Sequence, residues 1–259
     1  MIPVLFEIGP LKVHSFGAMV LVAFFVGAWL VTKELKRRGL QPDHLEGYPM
    51  FALIGGIVGA RLYWMIEHFD RVMADPLGGI FGGAGLTWYG GLIGGAAATL
   101  FLAWRKKQSL WRLCDAFAPG LAAAYGVGRI GCQLSGDGDY GPPSDLPWAM
   151  GYPNGVVPTP PGVTVHPTPI YEILMMIPVV LILWKLRTRP SQPGWLFGWY
   201  LVLVGLERWI SEFFRVRGVD DMVMAMSQAQ WISIGAMLFG AWLIANRRAP
   251  GDDASPAAT

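Results

Sequence analysis

Arg129 stands in Tyr125-Gly126-Val127-Gly128-Arg129-Ile130-Gly131, where glycines on either side leave room for a bulky ligand to reach the guanidinium. Its planar fork of donors suits a phosphate, above all in a poorly hydrated pocket. The competing reading is an arginine that snorkels or pairs with Glu172; in either case it faces protein. In Arg208-Trp209-Ile210-Ser211-Glu212 an arginine and a glutamate four apart share one helical face. They form either a structural ion pair or a charged site for a phospholipid head group, while Glu207 points elsewhere around that helix. His166-Pro167-Thr168-Pro169-Ile170-Tyr171-Glu172 joins a loop to a helix. Thr168 is placed to cap that helix, Pro169 suits its first turn, and Glu172 then projects inward. His166 is a candidate base, set against the plainer reading of a loop histidine that is hydrogen-bonded or exposed. Thr87-Trp88-Tyr89-Gly90-Gly91 offers a tyrosine either as a membrane-interface anchor or, given the glycines beside it, as a hydroxyl open to substrate. With an ordinary pKa of about 10, it is a poor base without a cation such as Arg129 nearby. His14, His44, His68 and His166 have no metal-ligand spacing, so no metal is expected.

The elements that must hold these residues are apolar. Of 259 residues, 53% are hydrophobic and 15% charged, with a mean hydropathy of +0.41, whereas charged side chains make up about a quarter of a soluble domain. Apolar segments run roughly over Phe16 to Thr32, Tyr48 to Ile66, Leu86 to Trp104, Leu113 to Ile130, Ile170 to Trp184, Trp195 to Ile210 and Ala229 to Ala245. Several are shorter than the roughly 20 residues that cross a bilayer, so flanking Trp and Tyr or local thinning must complete them. Thirteen of the twenty basic residues fall on one side if the segments alternate: Lys33, Lys36, Arg37, Arg38, Arg105, Lys106, Lys107, Arg112, Lys185, Arg187, Arg189, Arg247 and Arg248. The positive-inside bias then predicts an all-α polytopic protein of about seven transmembrane helices, with the N-terminus periplasmic and the C-terminus cytoplasmic.

Arg61, Arg129 and Arg208 lie within or at the ends of these segments, each toward the external end, as do Glu172, Glu207 and Glu212. A lipid-facing charge costs roughly 2.5 to 3.5 kcal/mol on insertion scales, so such groups face the bundle interior, pair or snorkel. Their common depth points to one polar cavity opening to the outer leaflet. Gly55, Gly56 and Gly59, and Gly90, Gly91, Gly94 and Gly95, carry small residues four apart and read as helix packing. They lack the setting of a phosphate loop or a dinucleotide fingerprint.

Residues 1–249 read as a single transmembrane helical domain with an external loop at about 131–169, rich in glycine and proline. Residues 250–259 read as a disordered cytoplasmic tail. Basic residues follow the first apolar run, so that run reads as a retained helix, not a cleaved signal. Cys114 and Cys132 fall at opposite faces and are not expected to form a disulfide, and a net charge of +2 gives no reason to expect nucleic acid.

Ile8-Gly9-Pro10, Gly90-Gly91-Leu92-Ile93-Gly94, Gly128-Arg129-Ile130-Gly131, the His166 to Glu172 stretch, and Arg208 with Glu212-Phe213-Phe214-Arg215 occur in an order that resembles the bacterial prolipoprotein diacylglyceryl transferases across nearly the full chain. The resemblance implies transfer of a diacylglyceryl group from phosphatidylglycerol to the lipobox cysteine thiol of a preprolipoprotein, at the bacterial inner membrane and without a cofactor. It implies that Arg129 and Arg208 hold the lipid phosphate, with Tyr89 as the third catalytic residue. Glu172 and Glu212 orient the arginines, and Arg61, Arg215, Tyr171, Gly141 and His166 complete the substrate-binding set. Three positions depart from the family pattern. Tyr89 stands where the family commonly has a histidine proposed to take the thiol proton, Phe16 where it has a tyrosine, and Cys132 where it has an asparagine. A divergent phospholipid- or lipoprotein-binding homologue is the alternative. A small transporter is a third, although no paired inverted repeat is visible.

Overall fold

A computed structural model describes residues 1–9, 11–39, 47–81, 87–216, 222–224 and 226–247. Pro10, His44, Leu86, Arg217, Arg248, the tail from 250 and the side chains of Trp88 and Tyr89 lie outside the described set. The helices are α1 Ser15–Arg37, α2 Gly47–Glu67, α3 Phe69–Ala74, α4 Pro76–Phe81, α5 Trp88–Arg105, α6 Leu110–Ser135, α7 Thr168–Leu186, α8 Trp195–Ser211 and α9 Gln228–Asn246. Each expected apolar segment falls in a long helix, apart from Thr87, which precedes α5, and Leu86, which lies outside the described residues. Four of these helices, α1, α2, α7 and α9, are long and apolar enough to cross a membrane by length and composition. The chain is a helical, multi-pass membrane protein.

Two antiparallel hairpins amend the all-α expectation: β1 Val4–Ile8 with β2 Leu11–His14, and β3 Met222–Val223 with β4 Met226–Ser227. The first turns at Gly9, whose φ of +59° glycine accepts without steric cost. Its start is tied to the end of α6, where Ile2 N donates to Leu134 O at 2.9 Å. The second leads into α9 through a capping box. Ser227 Oγ accepts from Gln230 N, and Gln230 Oε1 accepts from Ser227 N at 3.1 Å, so two donors left over at the helix start are satisfied reciprocally.

The chain divides into two compact units, Thr32–Leu113 and the remainder, Met1–Val31 with Cys114–Thr259. In the smaller unit, α2 and α5 meet backbone to backbone. A Cβ at Gly94 would lie 2.2 Å from Gly55 O, and one at Gly90 would lie 2.4 Å from Gly59 O. The packing role read from the glycine spacing therefore holds, and larger residues there would force the helices apart. The outer face of α2 presents Met50, Ile54, Ile57, Val58 and Leu62, all exposed. That face suits hydrocarbon and would be unfavourable against water.

In the larger unit, Ala118 and Ala122 of α6, Met176, Val179 and Leu183 of α7, and Trp195 and Leu196 of α8 form a buried core. Asp115 anchors one end of it. Its buried carboxylate accepts from Gly194 N at 2.9 Å and from Phe197 N at 2.8 Å, supplying the acceptor that the start of α8 lacks. Asp115→Ala leaves both donors unmet and is expected to cost about 1–3 kcal/mol. Thermal unfolding of the purified variant in detergent would show this as a lowered midpoint, and an unchanged midpoint would refute it.

Candidate functional site

Four elements of the larger unit bring charges together. Arg129 projects from the last third of α6, Glu172 from the first turns of α7, Arg208 from the last turn of α8, and Glu212 from the 3-10 turn Glu212–Phe214 that continues it. Arg215 follows that turn, and Asp139 comes from the irregular stretch after α6. Glu172, 1% exposed, is the hub. Its Oε2 pairs with Arg129 Nε, and its Oε1 lies 3.3 Å from Arg215 Nη1 and 3.6 Å from Arg208 Nη1. Asp139 pairs with Arg129 through one oxygen and with Arg215 through the other. Arg208 Nη2 meets Glu212 Oε2 at 2.8 Å, the i,i+4 pair that the spacing predicts. Burial alone would disfavour the Asp139 anion, but the Arg215 and Arg129 guanidiniums outweigh it and hold the carboxyl below the usual carboxylate range.

Arg129 is engaged on all sides. Its guanidinium lies over the Tyr125 ring, 5.0 Å from the centroid; its Nη2 donates to Tyr125 Oη at 3.3 Å, and its Nη1 approaches Cys132 Sγ at 3.6 Å. Arg208 differs, because its buried Nη1 has no hydrogen-bond acceptor among the described residues. Three guanidiniums balanced by three carboxylates, with one buried donor unmet, form an arrangement ready for an anion that supplies acceptor oxygens. Cys132, Asp137 and Asp139 place ligand atoms within 4.8 Å of one another, as a metal would need. Both Asp139 oxygens, however, already pair with arginines, and a cation there would face two guanidiniums. The chemistry favours an anion.

A match to the family model described as prolipoprotein diacylglyceryl transferase spans residues 3–246. The chain belongs to this family. Relatives named phosphatidylglycerol–prolipoprotein diacylglyceryl transferase include one from Clostridium tetani, 32% identical over 92% of this chain and 94% of its own length. One from Chromohalobacter salexigens is 32% identical over 97% and 95%, and one from Solidesulfovibrio magneticus is 30% identical over 98% and 97%.

The remaining residues singled out by the diacylglyceryl transferase resemblance are placed as follows. The irregular stretch expected from Gly131 begins later, because α6 runs on to Ser135 and stops at Gly136, whose φ is +60° and whose N–H returns to Cys132 O at 2.9 Å. Gly141 N donates to His166 O at 2.9 Å, and a Cβ on Gly141 would stand 2.0 Å from Phe214 O. Thr168 does not cap α7. It is the first helical residue, and its hydroxyl donates to Phe214 O at 3.0 Å, so a tertiary bond takes the hydroxyl that the sequence assigned to the cap. Pro169 does sit in the first turn. His166 Nδ1 lies 3.2 Å from Tyr171 Oη, which accepts from Trp148 Nε1 at 2.8 Å. His166, Tyr171 and Phe214 also form mutual ring contacts. These residues fasten the stretch to the 3-10 turn that carries Glu212. Gly141→Ala is expected to cost about 1–3 kcal/mol through this clash and to slow turnover by displacing Arg215; paired melting and transfer assays would detect both, and wild-type behaviour in each would count against it.

Arg61 belongs to the smaller unit. There its Nη2 donates to Gly78 O at 2.9 Å and its guanidinium lies 4.5 Å from the Trp64 ring centroid. Tyr89 opens α5 in the same unit, with its side chain outside the described set. Both cysteines are free thiols. The sequence reading did not assign Asp139 or Tyr125 to the site, and it placed Glu207 at the depth of the cavity without giving it a role. Asp139 sits in a Gly-Asp run that signals only a turn. Tyr125 had a usable signal, one helical turn before Arg129, and Glu207 was set aside by its angle on α8.

Proposed function

We propose that the arginine–carboxylate site transfers the diacylglyceryl group of phosphatidylglycerol to the lipobox cysteine thiol of a preprolipoprotein. The carbon–oxygen bond to the phosphate breaks, a carbon–sulfur thioether forms, and the thiol proton ends on the released glycerol phosphate. Arg129 and Arg208 hold the phosphate and steady the charge that grows on it as the bond breaks, with Arg215 beside them. Glu172, Glu212 and Asp139 fix the forks before substrate arrives, so little reorganisation is needed at the moment of reaction. In this reading Tyr89 is the third catalytic residue, and Arg61, Tyr171, His166 and Gly141 complete the substrate-binding set. The observation that carries the proposal is the convergence of three arginines on Glu172, with Arg208 Nη1 buried and without a hydrogen-bond acceptor among the described residues.

The distribution of basic residues supports seven spans, an external N-terminus, a cytoplasmic C-terminus and a site facing the periplasmic side. Purified protein in proteoliposomes, given labelled phosphatidylglycerol and a lipobox peptide, is expected to produce a thioether-linked lipid. No product under conditions where a known family member is active would reject the reaction. In that event, head-group binding that weakens in Arg129→Ala would favour a binding homologue, the reading that Tyr89, Phe16 and Cys132 motivate.

A further inference from the structure

Glu207 is buried in α8 at 3% exposure, and neither of its carboxyl oxygens has a hydrogen-bond partner among the described residues. Buried polar side-chain atoms are nearly always bonded, and leaving one unmet costs stability, so an orphan of this kind calls for a missing partner. The charges that act on it belong to Glu172, Arg129, Arg208 and Arg215, which places it beside the cluster despite its angle on the helix. It also acts on Tyr125. The three arginines are already matched by Asp139, Glu172 and Glu212, so Glu207 is the acid left over once those ion pairs are made.

We propose that Glu207 is a specificity-determining residue of this site, binding the hydroxyl groups of a glycerol lipid head group whose phosphate lies on the arginines. This rests on the phosphate-site reading given above and extends it to the head group beyond the phosphate. A carboxyl group offers two oxygens side by side, which suits the two neighbouring hydroxyls of glycerol. Hydroxyls bring donors without adding charge to a cluster whose arginines are already matched by acids. A site built to bond a hydroxyl discriminates strongly against an analogue lacking it, because the buried group is then left unpaired.

The test uses full-length protein in phosphatidylcholine nanodiscs, titrated with short-chain phosphatidylglycerol, phosphatidylpropanol or phosphatidylethanolamine. Phosphatidylpropanol carries the same charge without the hydroxyls. The wild type is expected to favour phosphatidylglycerol over phosphatidylpropanol by about tenfold or more. Glu207→Leu and Glu207→Met are expected to bind the two equally while keeping wild-type affinity for phosphatidylpropanol, which also reports that the variant is folded. Glu207→Gln, which retains an acceptor and a donor in the same place, is expected to keep most of the preference. An undiminished preference in either apolar variant, or tighter wild-type binding of phosphatidylethanolamine, would overturn the assignment. If Arg129→Ala leaves phosphatidylpropanol binding unchanged, the phosphate-site reading itself fails. That failure appears in the phosphatidylpropanol arm, whereas failure of the Glu207 assignment appears only in the ratio.

Discussion

Arg129→Lys is expected to lower the rate of diacylglyceryl transfer by about a hundredfold or more, even though the positive charge stays. The reason lies in how many sides of the guanidinium are in use. Nε meets Glu172, Nη1 meets Asp139 and approaches Cys132, and Nη2 donates to Tyr125. A lysine ammonium is a compact point charge at the end of a flexible stem and reaches one of these partners at a time. The others lose the Arg129 donor, Glu172 and Asp139 keeping only their remaining arginine partners, and the phosphate loses a planar, pre-aimed fork. Single-turnover measurement of thioether formation in proteoliposomes separates this loss from weaker lipid binding. A variant within threefold of wild type would show that the fork is not what the reaction uses.

Glu172→Leu should be the most destabilising of the changes considered. Glu172 is the shared partner of Arg129, Arg208 and Arg215, and removing it leaves three guanidiniums with only Asp139 and Glu212 between them. Removing one partner from a buried ion pair costs about 3–5 kcal/mol. The lower end applies here, because the arginine side chains keep 16–29% of their exposure and part of their hydration. Glu172→Gln keeps the volume and one acceptor and should fall between the two. Thermal unfolding in matched detergent ranks the three proteins, and equal midpoints for wild type and Glu172→Leu would mean that the arginines are held by something else. Transfer should be lost in both variants, because the guanidiniums no longer share one aim.

Much of this site was readable before any coordinates. The i,i+4 spacing of Arg208 and Glu212 requires only that α8 be a helix, and the cost of placing either Arg129 or Glu172 in hydrocarbon made their pairing one of the readings the sequence left open. The glycine runs of α2 and α5 are likewise local patterns with one packing consequence. What stayed hidden depends on tertiary position. Asp139 is ten residues from Arg129 across an irregular stretch, and nothing in a Gly-Asp run says which cation it will meet. Thr168 looked like a cap because hydroxyls at that position usually serve the backbone nearby, yet Phe214 O, far along the chain, takes it instead. The first hairpin is short, and Gly9 was its only local signal.

The α2–α5 crossing carries a mechanical consequence. Where Gly55 and Gly94 approach, and again at Gly59 and Gly90, backbone atoms of one helix stand where a Cβ on the other would be. Two rods in such close backbone contact have little side chain to repack at their junction, so neither slides or rotates without dragging the other. Any displacement a lipid or a peptide imposes on one of them must therefore be transmitted to the other as if they were a single stiff lever.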